Sequence, residues 1–379
     1  MNPSDVVVFI DPFSRHFERD MLFEQPERMK TEAEEIMAPF IHLRERFAER
    51  GIRVHTADRL ERRECGGRLN ILMSFGLMQR YKRLAERSDV VLSAFFAFES
   101  PVVEPSMYEG LPEICRHFKR VFSFSDSDSL QPVTKHSLKL EPFCLPYPFD
   151  EIRDDVWQRG DRRFIVMINH NKLPALYWQE LYTQRPAAVE FFARYDEIDL
   201  YGQGWDAPPF QMGTTWKPAT LQRAERLLQQ QWQRLRPNRQ LQAARRVYRG
   251  AVKSKIQTLG DYTFCLCFEN VALSGWITEK IFDCFVAGTV PVYWGASDIE
   301  QHVPTDSFID MRRFRDYSEL RTFLKSLRPA DIQAYKEAGR DFMSSARFIP
   351  FKKQTFADLL TTIVEEDASI SLRGQALTA

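Results

Sequence analysis

Thr278-Glu279-Lys280 places a hydroxyl, a carboxylate and an ammonium side by side, just ahead of the apolar stripe Ile281, Phe282, Phe285 and Val286. A helix that starts at such a point, with Thr278 as its N-cap, presents unpaired backbone N–H groups and the positive end of its dipole. Adding the charge of a lysine makes that end suited to a diphosphate, and Glu279 could accept hydrogen bonds from ribose or sugar hydroxyls. Upstream, Glu269 and Asn270 follow the apolar run TFCLCF (263–268), and the carboxyl ends of strands are where open α/β sheets bind ligands. An isolated TEK is more often a solvated first turn. Here the strand, the FEN turn and the following TVPVYWG (289–295) all fit one site.

A carboxylate at the end of a strand can also serve as a general base. Glu99 qualifies because DVVLSAFFAF (89–98) runs straight into Glu99-Ser100-Pro101, setting a carboxylate at the carboxyl end of a strand; Glu104 and Glu109 are rivals. Asp126-Ser127-Asp128 has the DxD form of a metal site but follows an apolar strand and reads more simply as a polar turn. No metal ligand is assigned. The seven histidines form no paired cluster, although His170 in the Asn169-His170-Asn171 turn could lie near phosphates. The six cysteines show no zinc spacing and read as free, mostly buried thiols in a reducing compartment.

The elements that must position these residues alternate between strand and helix. VVVFI (6–10) is a buried strand, residues 26–49 a helix with its stripe at Met29, Ile36, Phe40, Leu43 and Phe47, and RVHTAD a second strand. Residues 67–86 read as helical, and DVVLSAFF (89–96) as a third strand. CLPYPFDEI, with Pro146 and Pro148, breaks the pattern and marks a boundary. RFIVMIN (163–169), a helix near 175–195, IDLYG (198–202), TFCLCF and TVPVYWG form a second series. The expected division is residues 1–150, residues 151–350, and a C-terminal helix and tail over 351–379 whose end, SISLRGQALTA, is frayed. The fold class is α/β, with parallel sheets.

The run FENVALSGWITEKIFDCFVAGTVPVYWG, preceded by VYRGAVKSKIQTLGDYTF and, further up, by NKLPALYWQELYTQRPAAVEFF and IDLYGQGW, resembles the signature of glycosyltransferase family 10, the alpha-1,3/4-fucosyltransferases. The resemblance is strong over residues 163–310. It implies a GT-B architecture, two Rossmann-like domains facing a cleft, with the acceptor mainly on the first and GDP-fucose on the second. It also implies an inverting transfer of L-fucose to a glycan hydroxyl, often of an N-acetylglucosamine unit in a surface polysaccharide or lipopolysaccharide. Arg185 falls where the family's arginine contacts the donor diphosphate; Asn169 lies in the turn before it. Asn270, Glu279 and Lys280 match the family's donor-binding residues. Trp276 replaces a tyrosine of several bacterial members, keeping the aromatic face and losing the phenol. Glu99 lies in an ESP-like turn that some members share. The donor is a substrate, so no cofactor is required, and a divalent metal is not expected because Arg185, Lys280 and the helix start supply positive charge.

Composition sets the outer limits. With 379 residues, two domains are expected. Lys+Arg and Asp+Glu both total 52, which argues against a general nucleic-acid binder. Residues 221–256 nevertheless hold ten Arg or Lys against Glu225 alone, including Arg234, Arg236, Arg239, Arg245, Arg246 and Arg249 beside Trp232 and Tyr248. Two readings stay open for this insert: a peripheral contact with an anionic inner membrane carrying lipid-linked acceptors, or a solvated amphipathic helix pair, which is favoured. No signal peptide or membrane-length apolar run is read, so the expected location is cytoplasmic. Two rivals share these features: the same fold using another GDP-hexose, and a non-catalytic protein that binds glycans or nucleotide sugars.

Overall fold

The computed structural model describes residues 6–24, 34–76, 78–213, 227–228, 231 and 239–376. Trp232, Arg223, Arg226, Arg234 and Arg236 of the basic insert lie outside the described residues. The chain divides into two compact units. One comprises residues 1–101, 106–150 and 349–379; the other, residues 102–105 and 151–348.

The first unit is built on six parallel strands: β1 (Val6–Asp11), β2 (Arg53–Thr56), β3 (Leu69–Ser74), β4 (Val90–Ala97), β5 (Arg120–Ser123) and β6 (Glu141–Pro142), in the order β2-β1-β3-β4-β5-β6. Residues 67–86 are therefore not a helix. Leu69–Ser74 pairs with both β1 and β4, and only Tyr81–Leu84 turns helically. Every residue of β1 and β3 is buried, so neither shows the inside-outside alternation that betrays a half-exposed strand. The helix Glu34–Glu49 buries Met37, Phe40, Leu43 and Phe47, while Ile36, assigned to that stripe from spacing, is exposed. Against it packs the terminal helix Lys353–Ala376, which extends as far as Ala376 into the segment expected to fray. Phe356 meets the Phe40 ring edge-on at 5.4 Å, and buried Asp367 takes Lys119 at 3.0 Å and Arg120 at 3.2 Å. These contacts make the C-terminal helix part of the first unit. Rings carry much of this core, with Phe75 stacked on Phe96 and Phe96 on Phe122 at 4.6 and 4.7 Å.

The second unit has strands β7 (Arg163–Ile168), β8 (Lys172–Leu173), β9 (Ile198–Tyr201), β10 (Phe210–Gln211), β11 (Tyr262–Phe268), β12 (Val290–Trp294) and β13 (Ile309–Asp310). Five form a parallel sheet ordered β13-β12-β11-β7-β9, and β8 pairs with β10 apart from it. The chain runs outward from β7 to β9 on one side and to β11, β12 and β13 on the other. The reversal thus falls between β7 and β11, the topological switch point where such sheets open a crevice at their carboxyl ends. The helix expected near 175–195 is shorter, Gln184–Ala193, because Glu180 bridges to Val271 and residues before it pair with neighbouring loops. The described part of the basic insert gives the helix Arg239–Val247, which packs on Gln184–Ala193.

Candidate donor site

At the switch point, the carboxyl end of β7 supplies Asn169 and that of β11 supplies Glu269 and Asn270. Asn169 is fixed through its backbone: its carbonyl accepts from Trp205 Nε1 at 2.5 Å and its N–H donates to Tyr201 at 3.0 Å. Gly202 is glycine of necessity, since its φ is +120° and a Cβ there would lie 2.0 Å from the Asn169 carbonyl oxygen.

Beyond β11, Glu269 is wholly inaccessible. Its Oε1 accepts from the Thr278 N–H at 2.8 Å, the Thr278 hydroxyl lies 2.9 and 2.7 Å from its two oxygens, and Lys280 Nζ lies 3.0 Å from Oε2. The helix Glu279–Ala287 does begin directly after Thr278, yet the threonine hydroxyl makes no cap bond to that helix. The residue read as an N-cap instead ties the helix start back to the strand end. Sequence reasoning set Glu269 at the ligand-binding edge of the sheet but gave it no role; the only local signal was its place in the FEN turn.

Lys280 Nζ reaches Thr278 Oγ1 at 2.8 Å and Glu279 Oε1 at 3.6 Å. Lys255, at the start of the short helix Lys255–Leu259, pairs with buried Asp283 at 2.8 Å and with Glu279 at 3.6 Å. Burial opposes charge on Glu279, but the Lys280 and Lys255 ammonium groups outweigh it and hold the carboxyl down at about 2. Burial likewise opposes charge on Lys280, and the Glu269 and Glu279 carboxylates more than compensate, lifting it above the usual lysine range. Lys280 is a secured, fully protonated cation rather than a loose surface charge.

Arg185 is nearly as hidden as Glu269, at 3% exposure. One guanidinium nitrogen donates to the carbonyls of Phe268 at 3.0 Å and Glu269 at 2.8 Å and to Asn270 Oδ1 at 3.0 Å, and the cation lies 4.4 Å from the centre of the Tyr182 ring. Arg185 and Lys280, expected to meet at the donor phosphates, do converge on one residue, Glu269. They hold its two ends: the arginine its backbone, the lysine its carboxylate. Trp276, expected to offer an aromatic face, is 3% exposed and folded into the loop. That loop is anchored by Asp298, which accepts from Ser274 Oγ at 2.7 Å and Gly275 N–H at 2.8 Å.

In the first unit, Glu99 stands just past β4, partly exposed, with its Oε1 accepting from the Ser100 N–H at 2.8 Å and its carbonyl from the Tyr108 hydroxyl at 2.7 Å. Glu104 belongs to the second unit and Glu109 to the first. Asp126 caps the helix Ser127–Thr134, accepting from Ser129 N–H at 2.7 Å. Among the described residues, no group of three or more His, Cys, Asp or Glu is placed to hold a metal, and no helix is long and apolar enough to cross a membrane. The basic residues that are described mostly have partners: Arg245 on the Asp206 carbonyl, Arg246 on Asp196 at 3.4 Å, Arg249 on Asp199 at 2.6 Å.

Residues 232–338, which include β11, the Glu269–Lys280 knot and β12, match the model described as glycosyltransferase family 10 (fucosyltransferase) C-term. The alpha-(1,3)-fucosyltransferase FucT of Helicobacter pylori is 37% identical over 76 residues, 20% of this chain and 16% of that enzyme. The alpha-(1,4)-fucosyltransferase of Arabidopsis thaliana is 39% identical over 79 residues, 21% of this chain and 20% of the relative. The matched stretch thus spans about a fifth or less of the length of these two relatives. Among solved structures, an alpha1,3-fucosyltransferase with GDP-fucose aligns over 95% of this chain and 90% of its own at 14% identity and a TM-score of 0.43. A glycosyltransferase from Rickettsia africae aligns over 95% and 97% at 9% identity and a TM-score of 0.48. The likeness to the glycosyltransferase family 10 fucosyltransferases is thus to their C-terminal part and lies over residues 232–338 of this chain.

Proposed function

We propose that the protein is an inverting fucosyltransferase that moves L-fucose from GDP-fucose to a hydroxyl of a glycan acceptor, of the N-acetylglucosamine type, in a surface polysaccharide or lipopolysaccharide. The observation that carries this reading is Lys280, protonated and held at a helix start beside a sheet's switch point, within the stretch that matches the fucosyltransferase family. There the N–H groups of the first turn and the remaining ammonium hydrogen take the diphosphate, and Glu279 takes a hydroxyl of the ribose or sugar. Asn270 and Asn169 border the same crevice, and Arg185 acts by bracing the turn.

The transfer is a single displacement. The acceptor oxygen bonds to the anomeric carbon as the bond to the β-phosphate oxygen breaks. The acceptor proton passes to the Glu99 carboxylate, and the electron pair leaves with GDP, stabilised by Lys280 and the helix dipole. These positive groups do the work that a divalent metal does elsewhere, so chelator is expected to leave activity unchanged. Arg245, Arg246 and Arg249 of the insert have partners within the second unit, which favours an enzyme that meets its acceptor without a strong lipid contact.

A panel of GDP- and UDP-sugars tests the donor. Stabilisation by GDP and not UDP, with slow hydrolysis of GDP-fucose alone, is the expected result. Hydrolysis of another GDP-hexose instead would change the sugar, and no response to any nucleotide would overturn the reading.

A further inference from the structure

We propose that Glu269 is a positioning residue of the donor site: from beneath the turn it holds the Thr278 hydroxyl and the Lys280 ammonium in one arrangement, without touching the sugar nucleotide. The inference rests on the donor-site reading above. Geometry carries it. A carboxylate with no accessible surface has no face to offer a ligand, and all of its contacts named above run to the residues that start the donor helix.

The hydrogen inventory shows what the arrangement achieves. Lys280 has three N–H donors. Two are engaged, on Glu269 Oε2 at 3.0 Å and on Thr278 Oγ1 at 2.8 Å, which aims the third. Thr278 accepts that bond while passing its own hydrogen to the carboxylate. Glu269 is itself immobile: its N–H donates to the Trp294 carbonyl at 2.8 Å and its carbonyl accepts from Arg185 at 2.8 Å.

Space is reserved for it as well. A Cβ on Gly295 would lie 2.5 Å from Glu269 Cγ and 2.3 Å from the Tyr293 hydroxyl, which accepts from the Ala296 N–H at 3.0 Å. The groups around Lys280 divide cleanly. Glu269 and Glu279 favour its charge and Arg185 opposes it, while Lys255 is occupied by Asp283 and Glu279. Burial pushes the Cys267 thiol up to about 11 and the Tyr293 phenol well above its ordinary value, so neither is charged near neutrality.

Glu269→Gln tests the role, since it keeps the size and removes the charge. The Lys280 ammonium, followed by NMR in protein carrying carbon-13 at the lysine Cε, is expected to titrate above the usual lysine range in the wild type and lower in the variant. With donor and acceptor, kcat is expected to fall about 10²-fold while the donor KM changes by less than about threefold, the pattern of a misplaced cation. An unchanged Lys280 titration with kcat within twofold of wild type overturns the proposal. So does a variant that loses donor affinity alone, which would mean direct contact. Should Glu269→Gln fail to fold, Thr278→Val removes one link of the chain and is expected to lower kcat in the same direction by a smaller factor, with no change in kcat overturning the proposal. The NMR titration reads Glu269 whether or not the protein uses a sugar nucleotide, so a wild type inactive with every donor would sink the functional reading and leave this test standing.

Discussion

Each unit ends a central parallel strand with a buried carboxylate, and the two are used differently. Asp11, the last residue of β1, is wholly inaccessible and meets Arg80 at 2.9 Å; Arg80 in turn is shared with Glu18 and with Glu61 at 3.2 Å. Arg80 meets three carboxylates, and Arg83 joins it on Glu61 at 2.6 Å. Burial pushes the Asp11 carboxyl up to about 6 even against the pull of that guanidinium. Glu269, just past β11, answers Lys280 and sits among balanced charges, with Lys280, Lys255 and Arg185 against Glu269, Glu279 and Asp283. The first knot closes on itself. The second holds a protonated lysine at a helix start, its third hydrogen facing at most Glu279 at 3.6 Å. A buried carboxylate at a sheet end is therefore no mark of a site by itself; what it holds in place decides.

The comparison can be broken in several ways. The largest effect is expected from Glu99→Gln, which should lower transfer by about 10²–10⁴ while leaving GDP affinity unchanged, because Glu99 is the proposed base and is not proposed to touch the donor. Transfer surviving within a few-fold of wild type would remove Glu99 from that role. Arg80→Ala should cost about 3–5 kcal/mol in denaturant unfolding, since it strands Asp11 without its cation, and should leave the Kd for GDP unaltered. A weakened Kd would mean that the two knots are not independent. Gly295→Ala should cost about 1–3 kcal/mol and reduce transfer as well, because the added methyl presses on Glu269 and Tyr293 together.

Stability against pH separates the knots by sign. The folded-state pKa of Asp11 is raised from 3.8 to about 6, so the native state binds the proton more tightly. Its contribution to stability is present in acid and declines as pH rises from about 4 to 6. Glu279 is held down from 4.5 to about 2, so its contribution is present above the unfolded value and is lost as pH falls through that window. Asp11→Asn should therefore gain on the wild type between pH 4 and 7 in urea unfolding, the smallest effect of the set. A difference that does not move with pH would contradict the assignment.

Much of this was legible from residue order, and the failures have physical causes. The strands Arg163–Ile168, Ile198–Tyr201, Tyr262–Phe268 and Val290–Trp294 announce themselves as short apolar, β-branched or aromatic runs bounded by turn residues. Leu69–Ser74 did not, because a central strand covered on both faces loses its alternation and can be read with helical spacing. The segment before Gln184 has helix-forming composition but is held out of the helix by pairing near Val271, a contact distant in sequence. Within the site, Thr278 and Lys280 were visible because a helix start is a local signal. Arg185 was expected in the helix after the Asn169-His170-Asn171 turn, facing the donor diphosphate; its orientation toward backbone carbonyls depends on the end of β11. Glu269 gave almost no signal, since its partners come from nine and eleven residues on and its clearance from Gly295. Long-range partners decide such roles.

The account stands most directly on Lys280. Calorimetric titration of GDP into the wild type and into Lys280→Met, with circular dichroism to confirm that both are folded, measures what that ammonium contributes. The account predicts that the variant binds GDP at least about tenfold more weakly, the loss of one charge-assisted hydrogen bond to phosphate. Equal affinity in a folded variant would contradict it and move the diphosphate elsewhere.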